Sequence, residues 1–123
     1  MDNLTVDEII AIHTHLIGGK GGDSRVLSEA GLHQTVFQVN LPGDIFHKAA
    51  VVLFTFCAYP PFREGNVQTA IGIIRKIFLS EGYAVDLHNE DIADLVKGVE
   101  SFFLEIKDLE DWLRIHVQKT ANR

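Results

Sequence analysis

Apolar residues recur along this chain at the three- and four-residue spacing of amphipathic helices, and polar turns separate the recurrences. Thr5 and Glu8 stand at the spacing of a capping box before the first such segment, which predicts a helix over residues 5–17. A short helix is expected over residues 28–37, after a glycine-rich stretch, and Asp44 is a candidate N-cap for the next helix. The first part of the chain is therefore predicted to be helical.

Two long apolar segments, 45–58 and 67–80, occupy the middle of the chain on either side of a polar turn. The first is rich in valine and phenylalanine, but its length of about fourteen residues exceeds that of a buried strand and favours a helix. Because it is apolar all round, we expect it to be the central, buried helix. Pro60 and Pro61 end this helix, since proline lacks an amide donor and restricts the residue before it.

The C-terminal part of the chain predicts two more helices. Asn89 opens the first of them, followed by the acidic Glu90 and Asp91 at the positive end of the helix dipole, and its apolar face is expected to include Phe102 and Phe103. The last helix is predicted over residues 108–119. With no dependable strand, the sequence predicts one all-α domain over residues 1–123, a compact bundle of about six helices whose central buried pair flanks the turn.

Composition and charge narrow the functional classes. A net charge of −6 argues against a general binder of nucleic acid or of anionic membranes, which needs a basic face. The single cysteine, Cys57, lies in an apolar run and is expected to be a small buried hydrophobe in a reducing compartment. The run 49–58 is well short of the roughly 20 apolar residues of a membrane span, and no signal peptide is recognised. These features predict a soluble cytoplasmic protein.

The turn at residues 60–66 carries the candidate chemistry. Gly65 and Asn66 stand at the predicted start of the second central helix, where unpaired amides and the positive dipole end form an anion site. Glu64 offers hard carboxylate oxygens suited to Mg²⁺, which bridges phosphates and keeps several waters. The alternative, from these residues alone, is that the turn and its cap only join two core helices.

A resemblance to the Fic/Doc family rests on this turn and extends beyond it. The family signature, written roughly His-Pro-Phe-x-Asp/Glu-Gly-Asn-Lys/Gly-Arg-Thr-Ala, is matched by Phe62, Glu64, Gly65, Asn66, Thr69 and Ala70. The likeness is closest to the death-on-curing (Doc) branch and includes the segment from Asp44 to Ala50 and the C-terminal region. Residues 23–30 are loosely similar to the stretch that forms a flap beside the motif in the wider family, although a plain linker into the next helix is an equal alternative.

The resemblance implies a Fic/Doc-like helical fold that transfers a phosphoryl or adenylyl group from ATP with Mg²⁺. In the Doc branch it implies a toxin that phosphorylates a translation elongation factor and is held by an antitoxin. It assigns the metal to Glu64. It assigns nucleotide binding to Phe62, Arg63, Glu64, Gly65, Asn66 and Gln68.

Two positions depart from the family signature. Pro60 stands where the family has the histidine that deprotonates the target hydroxyl, and Gln68 stands where it has a phosphate-clamping arginine. Losing a general base typically lowers the rate by about 10²–10⁴-fold. No catalytic residue is therefore assigned, and we expect a weak or inactive transferase that retains Mg-nucleotide binding. An active kinase or AMP transferase acting on a translation factor, and a non-catalytic interaction domain, are the alternatives.

The histidines are candidates for a replacement base or for metal ligands. His47 lies on the central helix about three turns, roughly 15 Å, from the turn, whereas His33 lies near the flap-like stretch. His13 and His15 are two residues apart and point to different sides of their helix, which disfavours a metal pair. His13 is expected to cap or to pack within the core. The sequence does not determine the oligomeric state.

Overall fold

The computed structural model describes residues 3–18, 24–85, 87 and 89–119. The glycine-rich stretch from residue 19 to residue 22 lies outside the described residues. The described part of the chain contains six helices: α1 Val6–Gly18, α2 Glu29–Asn40, α3 Ile45–Ala58, α4 Asn66–Ser80, α5 Asn89–Glu100 and α6 Ile106–His116. Two short strands, β1 Tyr83–Ala84 and β2 Gln118–Lys119, pair antiparallel. The prediction of an all-α bundle of about six helices is confirmed.

Local capping explains where the first three helices begin. The amide of Thr5 donates to the Glu8 carboxylate at 3.1 Å and the Glu8 amide donates to the Thr5 hydroxyl at 3.1 Å, which is the predicted capping box. The side chains of Ser28 and Asp44 each accept an amide hydrogen bond of 2.9 Å at the starts of α2 and α3. These caps satisfy amides that have no partner within the helix.

Helix α3 is the centre of the bundle and packs against α2, α4, α5 and α6, while α1 packs against α4. Both α3 and α4 bury residues over most of their length, so the predicted central buried pair is confirmed. The turn that joins them is thereby held between two buried helices. No helix in the described ranges is long and apolar enough to cross a membrane.

The C-terminal part differs from the prediction in two places. Phe102 and Phe103 were expected on the inner face of a helix, but α5 ends at Glu100 and they are 91% and 85% exposed. The chain reverses there because Phe102 adopts a left-handed conformation, φ 64°, and the Phe103 amide donates to the Gly98 carbonyl at 2.8 Å. The last helix begins earlier and ends at His116, since the residues that follow it form β2.

Candidate functional site

The turn between α3 and α4 is closed by the side chain of Asn66, the first residue of α4. Its Oδ1 accepts a hydrogen bond from the Phe62 amide at 3.0 Å, and its Nδ2 donates to the Phe62 carbonyl at 2.9 Å. The Phe62 side chain is fully buried in the core. Asn66 therefore fixes the loop, and the buried Phe62 anchors it in the core.

His13 of α1 clamps the same loop from the other side. Its ring stacks on Phe62 with 3.6 Å between centroids and 7° between planes, and its Nε2 lies 2.7 Å from the carbonyl oxygen of Glu64. A carbonyl oxygen only accepts, so Nε2 carries a proton and donates it to Glu64. The other ring nitrogen, Nδ1, is buried and has no partner within the described residues. His13 thus packs in the core, as predicted, and its Nε2 donates a hydrogen bond to the loop.

This hydrogen bond orients the first peptide unit of the site. The peptide bond between Glu64 and Gly65 is trans and planar, so its C=O and N–H point in opposite directions. Since the carbonyl points at His13, the amide of Gly65 points away from the His13 ring. The amide of Thr69 is the first to bond back along α4, to the Gly65 carbonyl at 3.1 Å, and the amides at 66–68 meet no acceptor in the described residues.

Gly65 is required at this point for two separate reasons. Its φ of 77° lies in the left-handed region, which residues with a Cβ adopt at a cost. A Cβ at this position would also lie 2.6 Å from Cγ2 of Ile17 and 3.4 Å from Nε2 of His13. A left-handed residue followed by right-handed helix gathers successive amides into a concave anion-binding nest. The close approach of α1 and the nest therefore depend on the same glycine.

A cleft of about 260 Å³ opens at the start of α4. The residues that line it come from α3, the turn, the first turn of α4 and the end of α5: Phe56, Cys57, Pro60, Gly65, Asn66, Val67, Gln68 and Glu100. This volume lies just below the roughly 300–1,000 Å³ of typical ligand pockets, so it suits phosphate groups better than a whole nucleotide. Glu100 is the only charged residue among those lining residues, so an anion bound here is held by amides and by any cation it brings.

Cys57 does not supply a nucleophile to this cleft. Burial, with a smaller contribution from the negative charge of Glu100, raises the pKa of the Cys57 thiol to about 11. Because the thiolate is the reactive form, a thiol with this pKa is largely inert near neutral pH. Cys57 is a small buried apolar residue, as its sequence context predicts.

The chain before α2 runs alongside the motif loop. The amides of Leu27 and Ser28 donate to the carbonyl of Pro61 at 2.7 and 3.1 Å, and the amide of Arg63 donates to the carbonyl of Arg25 at 3.2 Å. These bonds place the flap-like stretch beside the loop within the described residues. They also fix the loop on the side opposite Asn66.

The predicted nucleotide-binding residues divide by position. Gly65, Asn66 and Gln68 line the cleft, whereas Phe62 is fully buried behind it. Arg63 and Glu64 are exposed on the outer turn of the loop and do not line the cleft. The structure therefore brings three of the six residues to one cavity and leaves two at its margin.

Neither replacement base considered from the sequence reaches the site. His47 lies near the start of α3 and its Nδ1 pairs with Glu110 of α6 at 3.1 Å. His33 is exposed on α2, and neither residue lines the cleft. Pro60 does line the cleft, and its side chain cannot accept a proton.

Glu64 is the residue to which the sequence analysis assigned a magnesium ion. The described residues contain no group of three or more His, Cys, Asp or Glu able to hold a metal by themselves. Mg²⁺ in phosphoryl-transfer sites needs only one or two carboxylates, because phosphate and water oxygens complete its shell. The Glu64 carboxylate is exposed on the outer turn of the loop, next to Gly65 in the chain.

Sequence reasoning missed three residues of the site. His13 was expected in the core but not as the clamp of the loop, and Cys57 and Glu100 were not expected at the cleft. A signal for His13 was present, because it occupies the buried four-residue spacing of α1 between Ile9 and Ile17. No local signal marks Glu100, which reaches the cleft from another helix.

Comparison with known proteins does not place the chain in a family. No protein-family model matches it, and no curated protein matches it significantly. The functional argument therefore rests on the geometry of the loop and the cleft, together with the resemblance of the motif.

Proposed function

We propose that this chain is a Doc-like protein of the Fic/Doc class that binds the phosphates of a magnesium–nucleotide at the start of α4 and has weak or no transferase activity. The observation that carries the proposal is the row of amides at residues 66–68, which line the cleft and have no acceptor among the described residues. His13 supports the row by holding the carbonyl of Glu64 inward. Oxygen atoms of a phosphate are the complementary ligands.

The expected affinity follows from the donors. Two or three amide hydrogen bonds to a charged phosphate, at roughly 1.5–3 kcal/mol each, amount to about 4–6 kcal/mol after ordering costs. That free energy corresponds to a dissociation constant of about 0.1–1 mM. Among the residues that line the cleft none is basic, and Glu100 repels an anion, so tighter binding requires the positive charge of Mg²⁺.

Glu64 would hold a magnesium ion that is bound with the nucleotide, and the ion would neutralise phosphate charge. Asn66 and His13 keep the loop in one conformation. Pro60 cannot take the proton of an attacking hydroxyl, and Gln68 cannot clamp a phosphate with a charged fork. Both losses fall on the transfer step and leave the fold intact.

The test is calorimetric titration with ATP in the presence and absence of Mg²⁺. We expect a dissociation constant of about 0.1–1 mM without Mg²⁺ and at least tenfold tighter binding with it. Glu64→Ala should weaken binding about tenfold, the cost of one charge-assisted contact, and Glu81→Ala, an exposed glutamate at the far end of α4, should not change it. Equal effects of the two substitutions, or no binding at about 10 mM ATP, would refute the proposal.

Weak activity is tested by restoring the missing groups. Pro60→His combined with Gln68→Arg should create transfer from ATP to protein where the unaltered chain shows none, or raise it by about 10²-fold or more. Pro60→Ala with Gln68→Ala is the matched control, because it changes the same positions without adding a base or a fork. Full activity in the unaltered chain would instead support the active transferase.

The partners belong to the same proposal and follow from the resemblance alone. They are a translation elongation factor as the target, an antitoxin as the regulator, and the cytoplasm as the compartment. A chain that binds Mg-ATP but neither partner would keep the nucleotide site and lose the Doc assignment.

A further inference from the structure

The outer face of α2 carries an apolar stripe, which we call the α2 stripe. Ala30, Gln34 and Phe37 share this face of the helix, and Leu27 and Leu41 stand at its two ends. The three large apolar members, Leu27, Phe37 and Leu41, are 60%, 59% and 41% exposed. The opposite face of α2 is buried in the bundle, so the stripe is additional to what the fold requires.

The stripe lies in an uncharged stretch of an acidic chain. Residues 30–43 contain no Asp, Glu, Lys or Arg, although the whole chain carries a net charge of −6. By contrast, α5 and α6 each carry several exposed carboxylates. A basic partner would be attracted to those helices, whereas two copies of this chain can meet along α2 without bringing like charges together.

The order of residues in the stripe is self-complementary. A two-fold axis through Gln34 would place Phe37 of one copy opposite the small, exposed residue Ala30 of the other. The same axis places Leu27 opposite Leu41 and lets the two Gln34 amides bond to each other. The helices would run antiparallel, which also aligns their dipoles favourably. We propose that the α2 stripe is the contact surface of a homodimer with this antiparallel geometry.

The size of the stripe sets the expected strength. Three large side chains that are about half exposed would bury on the order of 300 Å² per copy, below the roughly 800 Å² per partner of a stable interface. The dimer is therefore weak, with a dissociation constant of about 0.1 mM, and depends on protein concentration.

Sedimentation velocity of the full chain from about 10 μM to about 1 mM tests the proposal. We expect the unaltered chain to shift from monomer towards dimer over this range, and Phe37→Gln to raise the dissociation constant at least tenfold. Ile115→Gln is the matched control, since Ile115 of α6 is 71% exposed on another face and its substitution should change nothing. A monomer at every concentration, or a dimer that Phe37→Gln leaves unaltered, would overturn the proposal.

The register is tested by a cross-link at the axis. Gln34→Cys should form a disulfide-linked dimer under mild oxidation, because the two thiols meet on the two-fold axis. Asp111→Cys, an exposed position on α6, should cross-link much more slowly, and the buried Cys57 should not contribute. Equal rates at the two positions would contradict the antiparallel register and its axis through Gln34.

Discussion

Replacing Gly65 by alanine tests the loop geometry more directly than any other single change. The substitution adds one methyl group at a residue whose φ is 77° and whose Cβ would lie 2.6 Å from Cγ2 of Ile17. The backbone conformation costs a residue with a Cβ about 1–2 kcal/mol. The contact with Ile17 requires α1 or the loop to shift, and overpacking of this kind typically costs about 1–3 kcal/mol.

The two terms together predict a loss of about 2–5 kcal/mol in the free energy of unfolding. A single domain has only about 5–15 kcal/mol in total, so the variant should fold with little stability to spare. Urea unfolding measures the loss, and with a slope of about 1–3 kcal/mol per molar the midpoint should fall by roughly 1–3 M. Binding of Mg-ATP should weaken in the same variant, because a displaced loop no longer presents its amides.

Gly82→Ala is the control for the backbone term. Gly82 is exposed and has a left-handed φ of 81°, close to the 77° of Gly65. The difference between the two variants therefore measures the contact between the loop and α1. If Gly65→Ala loses no more stability than Gly82→Ala, then α1 does not press on the loop and the argument for a clamped site is wrong.

Three further predictions follow from the same structure. His13→Phe keeps the ring stack but removes the donor to Glu64, so Mg-ATP should bind roughly tenfold more weakly in calorimetry. The free energy of unfolding should change by less than about 1.5 kcal/mol, because the substitution also removes the unpartnered Nδ1. Unaltered binding would contradict the clamp. Phe102→Gly should stabilise the protein by about 1 kcal/mol in thermal unfolding, because glycine adopts a φ of 64° without strain, and a loss of stability would contradict that turn. Glu8→Gln should lower the free energy of unfolding by about 0.5 kcal/mol at pH 7, a small value because Glu8 is partly exposed. The reason for the loss is the hydrogen bond from Lys76, which lowers the pKa of Glu8. A lowered folded pKa stabilises above the unfolded value, so this cost should shrink in urea unfolding as the pH falls below about 4, and a cost that persists there would contradict the ion pair.

Helix positions followed from the sequence because their signals are local. The capping pair Thr5 and Glu8, and the caps Ser28 and Asp44, act on amides within three residues, so they can be read without knowing the fold. The exposed pair of phenylalanines shows where this reasoning fails. Their spacing continues the apolar pattern of α5, but a left-handed turn at Phe102 decides their direction.

The site divides in the same way between local and tertiary information. The sequence by itself placed Glu64, Gly65 and Asn66 at the start of a helix, since a proline stop and a glycine next to the cap are short-range signals. Only the tertiary structure brought His13 to the carbonyl of Glu64, 51 residues away along the chain, and Glu100 to the wall of the cleft. Such contacts depend on how helices pack against each other, which no local pattern encodes.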